Sequence, residues 1–426
     1  MKNFYSLTEV ADMLSVSKET LRRWDNNGAL KPVRHPINNY RVYPVSILRK
    51  FEQLGFLFEE KKIERSIPSP LSDYTMVELF SGAGGLALGL EKAGLNSILL
   101  NEIDHNACAT LKKNRPEWNV VEGDVTEIDF SPYKGKVDIL AGGFPCQAFS
   151  YAGKKLGFKD ARGTLFYEFA RAVKEIKPLI CVGENVRGLL NHNDGKTLRG
   201  MISILDELGY DVLPPQLLKA IFYRVPQKRE RLLIVGLRRG AGLKYQFPAP
   251  HTEVYTLKDA LKKGRLYNKD VPISPGQAYS PRKKVIMQAV PPGGYWRDLS
   301  LKLQKEYMQK SFYLGGGKTG IARRMHWDEP SLTLTCNPAQ KQTERCHPDE
   351  TRPFRVREYA RIQTFPDDWQ FVGSLSSQYK QIGNAVPVNM AIEIGYSLVR
   401  CLNAYYAANN LRSSKIKKQV LLQAFA

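Results

Sequence analysis

At 426 residues the chain is about two to three times the usual domain length, so more than one folding unit is expected, with a core that needs no disulfide staples. Its 43% hydrophobic and 25% charged residues exclude a disordered chain. The formal charge of +21, from 63 Lys plus Arg against 42 Asp plus Glu, points to a polyanionic partner. No uninterrupted apolar run approaches ~18 residues and residues 1–10 carry no signal-peptide core, so the expected partner is nucleic acid and not a membrane.

The six cysteines (Cys108, Cys146, Cys181, Cys336, Cys346, Cys401) lack metal-ligand spacing. They predict neither a metal site nor a disulfide framework, and a soluble, cytoplasmic chain.

In chain order, Leu7, Val10, Ala11 and Leu14 recur at helical spacing, and Lys18 opens a second short helix through Leu21 and Trp24. Ser17 is its expected N-cap, Leu21 and Trp24 its buried face, Arg22 and Arg23 its exposed face, and Asn27 with Gly28 its stop. Residues 31–34 and 40–43, joined by an Asn38-Asn39 turn, read as a two-stranded wing whose Arg34 and Arg41 reach phosphates. Residues 6–43 resemble the winged helix-turn-helix of MerR-type regulators and phage excisionases. That resemblance implies DNA binding; a protein-interaction module is the other reading. The Pro/Ser-rich residues 66–73 read as a linker after a domain of residues 1–65.

From residue 75 short apolar runs alternate with helical stretches: MVELF, SILLNEI, NVVEGDV, VDILAGG, LICVGEN, YDVLPPQLL and RLLIVGL. This alternation predicts an α/β fold with a mostly parallel sheet, whose ligands bind beyond the carboxyl ends of the strands. The residues just past each run are therefore the informative ones. The first run leads into Ser81, Gly82, Ala83, Gly84 and Gly85, the second ends in Glu102-Ile103, and the third in Asp124-Val125. Gly, Glu and Asp at three consecutive strand ends read as a nucleoside site. The fourth run leads to Phe144-Pro145-Cys146-Gln147, which sets Cys146 on an exposed turn as a candidate nucleophile. The fifth delivers Glu184.

Together FSGAGGL (80–86), NEID (101–104), GGFPCQAFSYAG (142–153), ENV (184–186), QKRERLLIVG (227–236) and QIGNAVPVNMA (381–391) resemble the bacterial DNA (cytosine-5)-methyltransferases of restriction-modification systems. The resemblance implies a Rossmann-like S-adenosylmethionine-dependent fold over residues 74–239, a target-recognition domain over 240–345, a C-terminal return over 346–410 and a basic tail over 411–426. It implies methylation of carbon 5 of a flipped-out cytosine through a covalent Cys146 adduct, Cys146 being the only cysteine placed for it. Glu184 would hold a proton near ring nitrogen 3, aided by Arg229 and Arg231, one of which has a structural ion-pair role as its other reading. For the cofactor, Phe80 would stack on adenine, Gly82 to Leu86 (with Ala83, Gly84 and Gly85) would admit the methionine part, Glu102 would accept ribose hydroxyls and Asp124 would bond the adenine amino group. Pro145, Leu165, Asn384 and Val386 would complete the pocket. Asn384 implies a final helix packed beside the first strand.

Residues 147–164 would be a basic loop closing over DNA, with Gln147, Ser150 and Arg162 as contacts. Residues 238–345 carry 20 Lys plus Arg against 8 Asp plus Glu, a strongly basic reading surface in which Arg323 and Arg324 are candidates for base contacts, a structural role being equally open. Double-stranded DNA, the chain's own promoter and a separate restriction endonuclease are the implied partners. An RNA cytosine-5 methyltransferase and a regulator with an inert methylase domain are the rival readings.

Overall fold

The computed structural model describes residues 3–14, 16–35, 39–51, 54, 57, 66–145, 164–315 and 318–424, with side chains to 409. The N-terminal unit runs β1 (Phe4–Ser6), α1 (Leu7–Leu14), α2 (Lys18–Asn26), β2 (Val33–Arg34), β3 (Arg41–Pro44) and α3 (Val45–Lys50). The Ser17 side chain caps α2 by accepting from the Thr20 N–H at 3.0 Å. Leu21 is fully buried, Trp24 only half-buried, and Arg22 and Arg23 face solvent. The wing has three strands, not two, because β1 joins the outer edge of β3 in the order β1-β3-β2. Arg34 is exposed, but Arg41 is not free for phosphate: Asp25 holds its Nε at 2.7 Å.

The large unit begins with β4 (Tyr74–Leu79), α4 (Gly85–Lys92), β5 (Leu95–Glu102), α5 (His105–Asn114), β6 (Val120–Glu122) and β7 (Ile139–Gly142). It continues through α6 (Leu165–Ile176), β8 (Ile180–Val186), α7 (Lys196–Glu207), β9 (Tyr210–Val212), β10 (Gln216–Lys219), β11 (Gln227–Lys228) and β12 (Glu230–Arg238). Its eight-stranded sheet runs β10-β12-β8-β7-β4-β5-β6, with β9 also on β12. The five strands from β8 to β6 are parallel, as expected. The remaining three differ: β12 is antiparallel to β8, and YDVLPPQLL, broken by Pro214 and Pro215, gives two short antiparallel strands on β12. The chain passes from β4 outward to β5 on one side and returns to β7 on the other, which opens a crevice at the carboxyl ends of β4 and β7.

The region of residues 240–345 is mostly irregular around α8 (Leu257–Leu261), α9 (Pro281–Gln288), α10 (Leu301–Met308) and the short β13 (Ser331–Leu332), which pairs with β11. A separate apolar cluster around Met287, Trp296, Met308 and Ile321 supports its later part, whereas Leu257, Ala260 and Leu261 pack into the main core. Then α11 (Val356–Ile362), α12 (Leu375–Asn384) and α13 (Val388–Ala424) return to the sheet.

The returning helix α13 packs directly on α4. A Cβ added at Gly89 would stand 2.3 Å from the Ala391 Cβ, and one at Gly395 would stand 2.5 Å from the Ala93 Cβ. Further along, Asn403 accepts from the Tyr74 hydroxyl at 2.6 Å and Tyr406 stacks on Tyr74 at 5.5 Å, so the final helix does reach the first strand of the sheet. The same helix binds the expected linker: Arg400 donates to the Ser66 carbonyl and Asn403 to that of Ser69. Residues Leu375–Asn409 are long and apolar enough to cross a membrane by composition, yet 67% of their most apolar window is buried inside the protein. That apolarity serves the α4 contact. Gly89→Leu is expected to cost at least about 1–3 kcal/mol, read as a lower urea midpoint.

Candidate active site

Strand register brings the site together. Leu79 lies beside Asn101 of β5 and Gly142 of β7, and Gly142 beside Gly183 of β8, so β4, β5 and β7 end within a residue of one another while β8 runs on through Glu184 to Val186. Past these ends a cleft of about 670 Å³ is lined by Phe80, Ser81, Gly82, Ala83, Leu86, Glu102, Ile103, Asp124, Val125, Pro145, Leu165, Glu184, Arg229, Arg231, Asn384 and Val386, all read from the sequence. Cys146, Gln147, Ser150 and Arg162 lie outside the described residues.

Phe80 leaves the strand with φ 59°, a left-handed turn that an aromatic residue rarely takes. The Ser81 N–H bond to the Asn101 carbonyl and the Gly84 N–H bond to the Ser81 carbonyl, both 3.0 Å, fix it. Glu102 ties this turn to the end of β5: one carboxylate oxygen accepts from the Gly82 N–H at 2.7 Å, and the other from the N–H groups of Ile103 and Asp104 at 2.9 and 2.8 Å. Asp124 caps the single turn after β6 by accepting from the Thr126 N–H at 2.9 Å. The Asn101 amide, bonded to the Val121 and Gly123 carbonyls, holds that loop against β5.

Gly84 and Gly85, expected to admit the methionine part, sit behind the lining residues Gly82, Ala83 and Leu86. Gly84, at φ +83°, has Leu111 and Trp369 behind it, and a Cβ on Gly85 would lie 2.3 Å from the Val386 carbonyl oxygen. They let α4 approach the returning C-terminal segment, which is a packing role.

On the opposite wall, Glu184 of β8 is buried with its Oε1 2.5 Å from Nε of Arg231 on the neighbouring antiparallel strand. Burial pushes the Glu184 carboxyl up, and the guanidinium groups of Arg231 and Arg229 oppose that rise. Arg229, 1% exposed, lines the cleft but turns its Nη atoms to the carbonyls of Leu334, Gly383 and Asn384, while its Nε has no hydrogen-bond partner among the described residues. It brackets three distant segments around the cleft. The loop carrying Pro145 rests on the same wall, because Asn185 donates to the Phe144 carbonyl at 2.8 Å and Phe144 packs edge-on against Phe166. Gly143 permits this approach, since a Cβ there would lie 3.1 Å from Glu184 Oε2.

Arg324 takes the structural one of its two readings. It is 4% exposed and donates to the Met287, His347 and Pro348 carbonyls and to Thr351, so it braces the insertion. Arg323 is half-buried over the Tyr295 ring at 5.9 Å.

Two residues escape the sequence reading. Cys336, beside the cleft, is exposed and donates to the Oδ1 of the lining residue Asn384 at 3.1 Å. Glu78 of β4 is 1% exposed, lines the cleft, and its Oε2 has no hydrogen-bond partner. Burial, then the charges of Glu102 and Glu184, push its carboxyl well above the ordinary range. Strand period two is the available signal: Glu78 follows Tyr74 and Met76 on one face as Glu184 follows Ile180 and Val182.

A profile of the C-5 cytosine-specific DNA methylases matches residues 74–400. The chain belongs to that family. The methylase is 64% identical to the Type II methyltransferase M.Eco47II of Escherichia coli over 95% of this chain and 97% of that one. It is 58% identical to the Type II methyltransferase M.PspPI of Psychrobacter sp. (strain TA137), over 94% and 97% of the two chains. A crystal structure of a Spodoptera frugiperda DNMT2 mutant shares the fold at a TM-score of 0.55 and 17% identity, covering 76% of the methylase and 99% of that chain. The MerR family regulatory proteins match residues 6–43, in keeping with the helix-turn-helix reading.

Glu78 gives a pH test of the methylase without ligand. A carboxyl whose folded pKa is raised stabilises fully below its unfolded pKa of about 4.3 and loses that contribution as pH rises toward the folded value. Glu78→Gln removes the loss. Urea denaturation should show near-equal stability of mutant and wild type around pH 4 and a mutant advantage that grows toward pH 8.

Proposed function

We propose that the methylase transfers a methyl group from S-adenosylmethionine to carbon 5 of a cytosine flipped out of duplex DNA, as the modification partner of a restriction endonuclease in the cytoplasm. The observation that carries this reading is one cleft in which a nucleoside-type wall (Phe80, Glu102, Asp124) faces the Glu184–Arg231 pair, with the chain entering Cys146 directly from lining residue Pro145.

The cofactor fits by charge. Glu78 Oε2 is buried and unpartnered in the cleft, and a cationic ligand gives such an atom the partner it lacks. When bound, S-adenosylmethionine supplies an electrophilic methyl group on a positively charged sulfur. Phe80 offers a ring face to adenine, while Glu102 and Asp124 present acceptors to ribose hydroxyls and the adenine amino group.

On the base side, cytosine carbon 5 is a poor nucleophile until a thiolate adds to carbon 6. Cys146 supplies that thiolate; a free thiol is only a few per cent ionised near pH 7, so the loop must favour the anion. Negative charge then moves into the ring. Glu184, its carboxyl raised by burial, holds a proton at ring nitrogen 3 while Arg231 fixes its orientation. The exposed Arg22, Arg23 and Arg34 give the N-terminal domain a DNA-contacting face, which suits recognition of the chain's own promoter.

Expression in a methylation-free host followed by methylome sequencing should show 5-methylcytosine at one short duplex motif; labelled methyl groups entering only tRNA would overturn the reading. Cys146→Ser should abolish turnover and keep cofactor binding, whereas Cys336→Ser should keep turnover. Glu184→Gln should lower kcat by about 10²–10⁴-fold, measured at saturating DNA.

A further inference from the structure

The docking of the N-terminal unit is built around one small feature. Between the core sheet and the recognition region the chain forms a two-stranded parallel ribbon, β11 against β13. Side chains alternate along β11 and its continuation. Gln227 and Arg229 point inward and are 0% and 1% exposed, and Arg229 lines the cleft. Lys228, between them, points the other way, to the Asp12 carboxylate on α1 at 2.6 Å. Asp12 is itself only 4% exposed. The second strand is held in the same manner: Glu329, two residues before β13, accepts from Lys18 at the start of α2 at 2.7 Å. Each helix of the helix-turn-helix therefore grips one strand of the ribbon. A third bond, from Lys219 of β10 to the Met13 carbonyl at the end of α1, anchors the same helix to the core sheet.

The inner side of this ribbon makes the site. The Lys228 carbonyl accepts from Thr333 at 2.6 Å, Gln227 accepts from the Leu334 N–H at 2.9 Å, and Arg229 closes on Leu334, Gly383 and Asn384. A displacement of either strand would move Arg229, and with it Arg231 two residues on, relative to the recognition region.

We propose that the N-terminal domain is a brace across the joint between the catalytic sheet and the recognition region, acting through the pairs Asp12–Lys228 and Lys18–Glu329 to set the cleft geometry, independently of any DNA that its own helices contact. Buried pairs are suited to fixing an arrangement, because a lone partner left in the interface is strongly unfavourable. Asp12, Lys228, Lys18 and Glu329 are positioning residues in this scheme; none need touch substrate.

The inference uses the proposed methyl transfer only as a readout. The test is kcat and KM of the full-length protein on a short duplex carrying one mapped target site, too short to reach the N-terminal domain as well. Asp12→Lys and Lys228→Asp singly should each lower kcat/KM at least tenfold, with most of the loss recovered in the double swap. The half-exposed pair provides a second arm less exposed to misfolding: Lys18→Glu and Glu329→Lys should each lower kcat/KM several-fold and recover together. Because re-forming either pair would also rescue a loss of folding, the melting midpoint is read beside the kinetics, and the brace requires lowered kcat/KM in single variants that melt like wild type. Single variants that melt like wild type and methylate the short duplex at the wild-type rate would overturn the brace, as would swaps with no recovery. An inactive wild type would instead count against the proposed function.

Discussion

Everything at the site depends on four parallel strands held in one register. Parallel pairing slants its hydrogen bonds evenly and leaves little freedom in register once both faces are buried. With Leu79, Asn101, Gly142 and Gly183 level, the residues just past them or beside them converge without any long loop: Phe80, Glu102, Gly143 and Glu184. A slip of one residue in β8 would turn Glu184 to the opposite face, where Cys181 lies in the second apolar cluster. That cysteine shows what the wrong face does to chemistry, since burial pushes its thiol up to about 12.

The same packing sets the electrostatics. Two carboxylates occupy one apolar face, and each burial is costly unless offset. Glu184 is offset by Arg231, which β12 can deliver only because it runs antiparallel beside β8, placing Arg231 across from Val186 and within reach of Glu184. No such cation reaches Glu78 Oε2 among the described residues. One acid is thus oriented by the protein, and the other is left with an unmet demand for positive charge or a proton inside the cleft.

Much of this is legible in the sequence because parallel sheets place ligand-facing residues at run ends, and run ends are marked by glycine and acids. Ser81 to Ala83, Glu102, Asp124 and Glu184 are legible in that way, whereas Arg229, Arg231, Leu165, Asn384 and Val386 follow only from the family resemblance. The failures share a cause: tertiary contact overrides local pattern. Gly84 and Gly85 look like ligand glycines, but Gly85 admits Val386, some 300 residues later, and Gly84 faces Leu111 and Trp369. Arg229 and Arg324 look like free cations, and buried backbone carbonyls claim both. Glu78 is inconspicuous because it stands inside an apolar run, where only its parity with Met76 marks it. β1 is three residues long, too short for alternation to declare itself.

Sequence distance also decides when the site can exist. Two buried glutamines splice the far C-terminal segment to the ribbon: Gln227 donates to the Gln363 side-chain oxygen at 2.9 Å, and Gln363 donates to the carbonyls of Ile382 and Ala385 at 2.8 and 3.1 Å. A buried amide left without these partners is unfavourable, so the network favours being complete or open, with little in between. The cleft wall formed by Asn384 and Val386 therefore depends on contacts that reach back across the whole 240–345 insertion to β11 and α4. Such non-local closure is slow, because loop entropy is lost before the contacts that offset it are made. A site built from both ends of a long insertion is one in which small shifts at the ribbon are passed through Arg229 toward the Glu184–Arg231 pair.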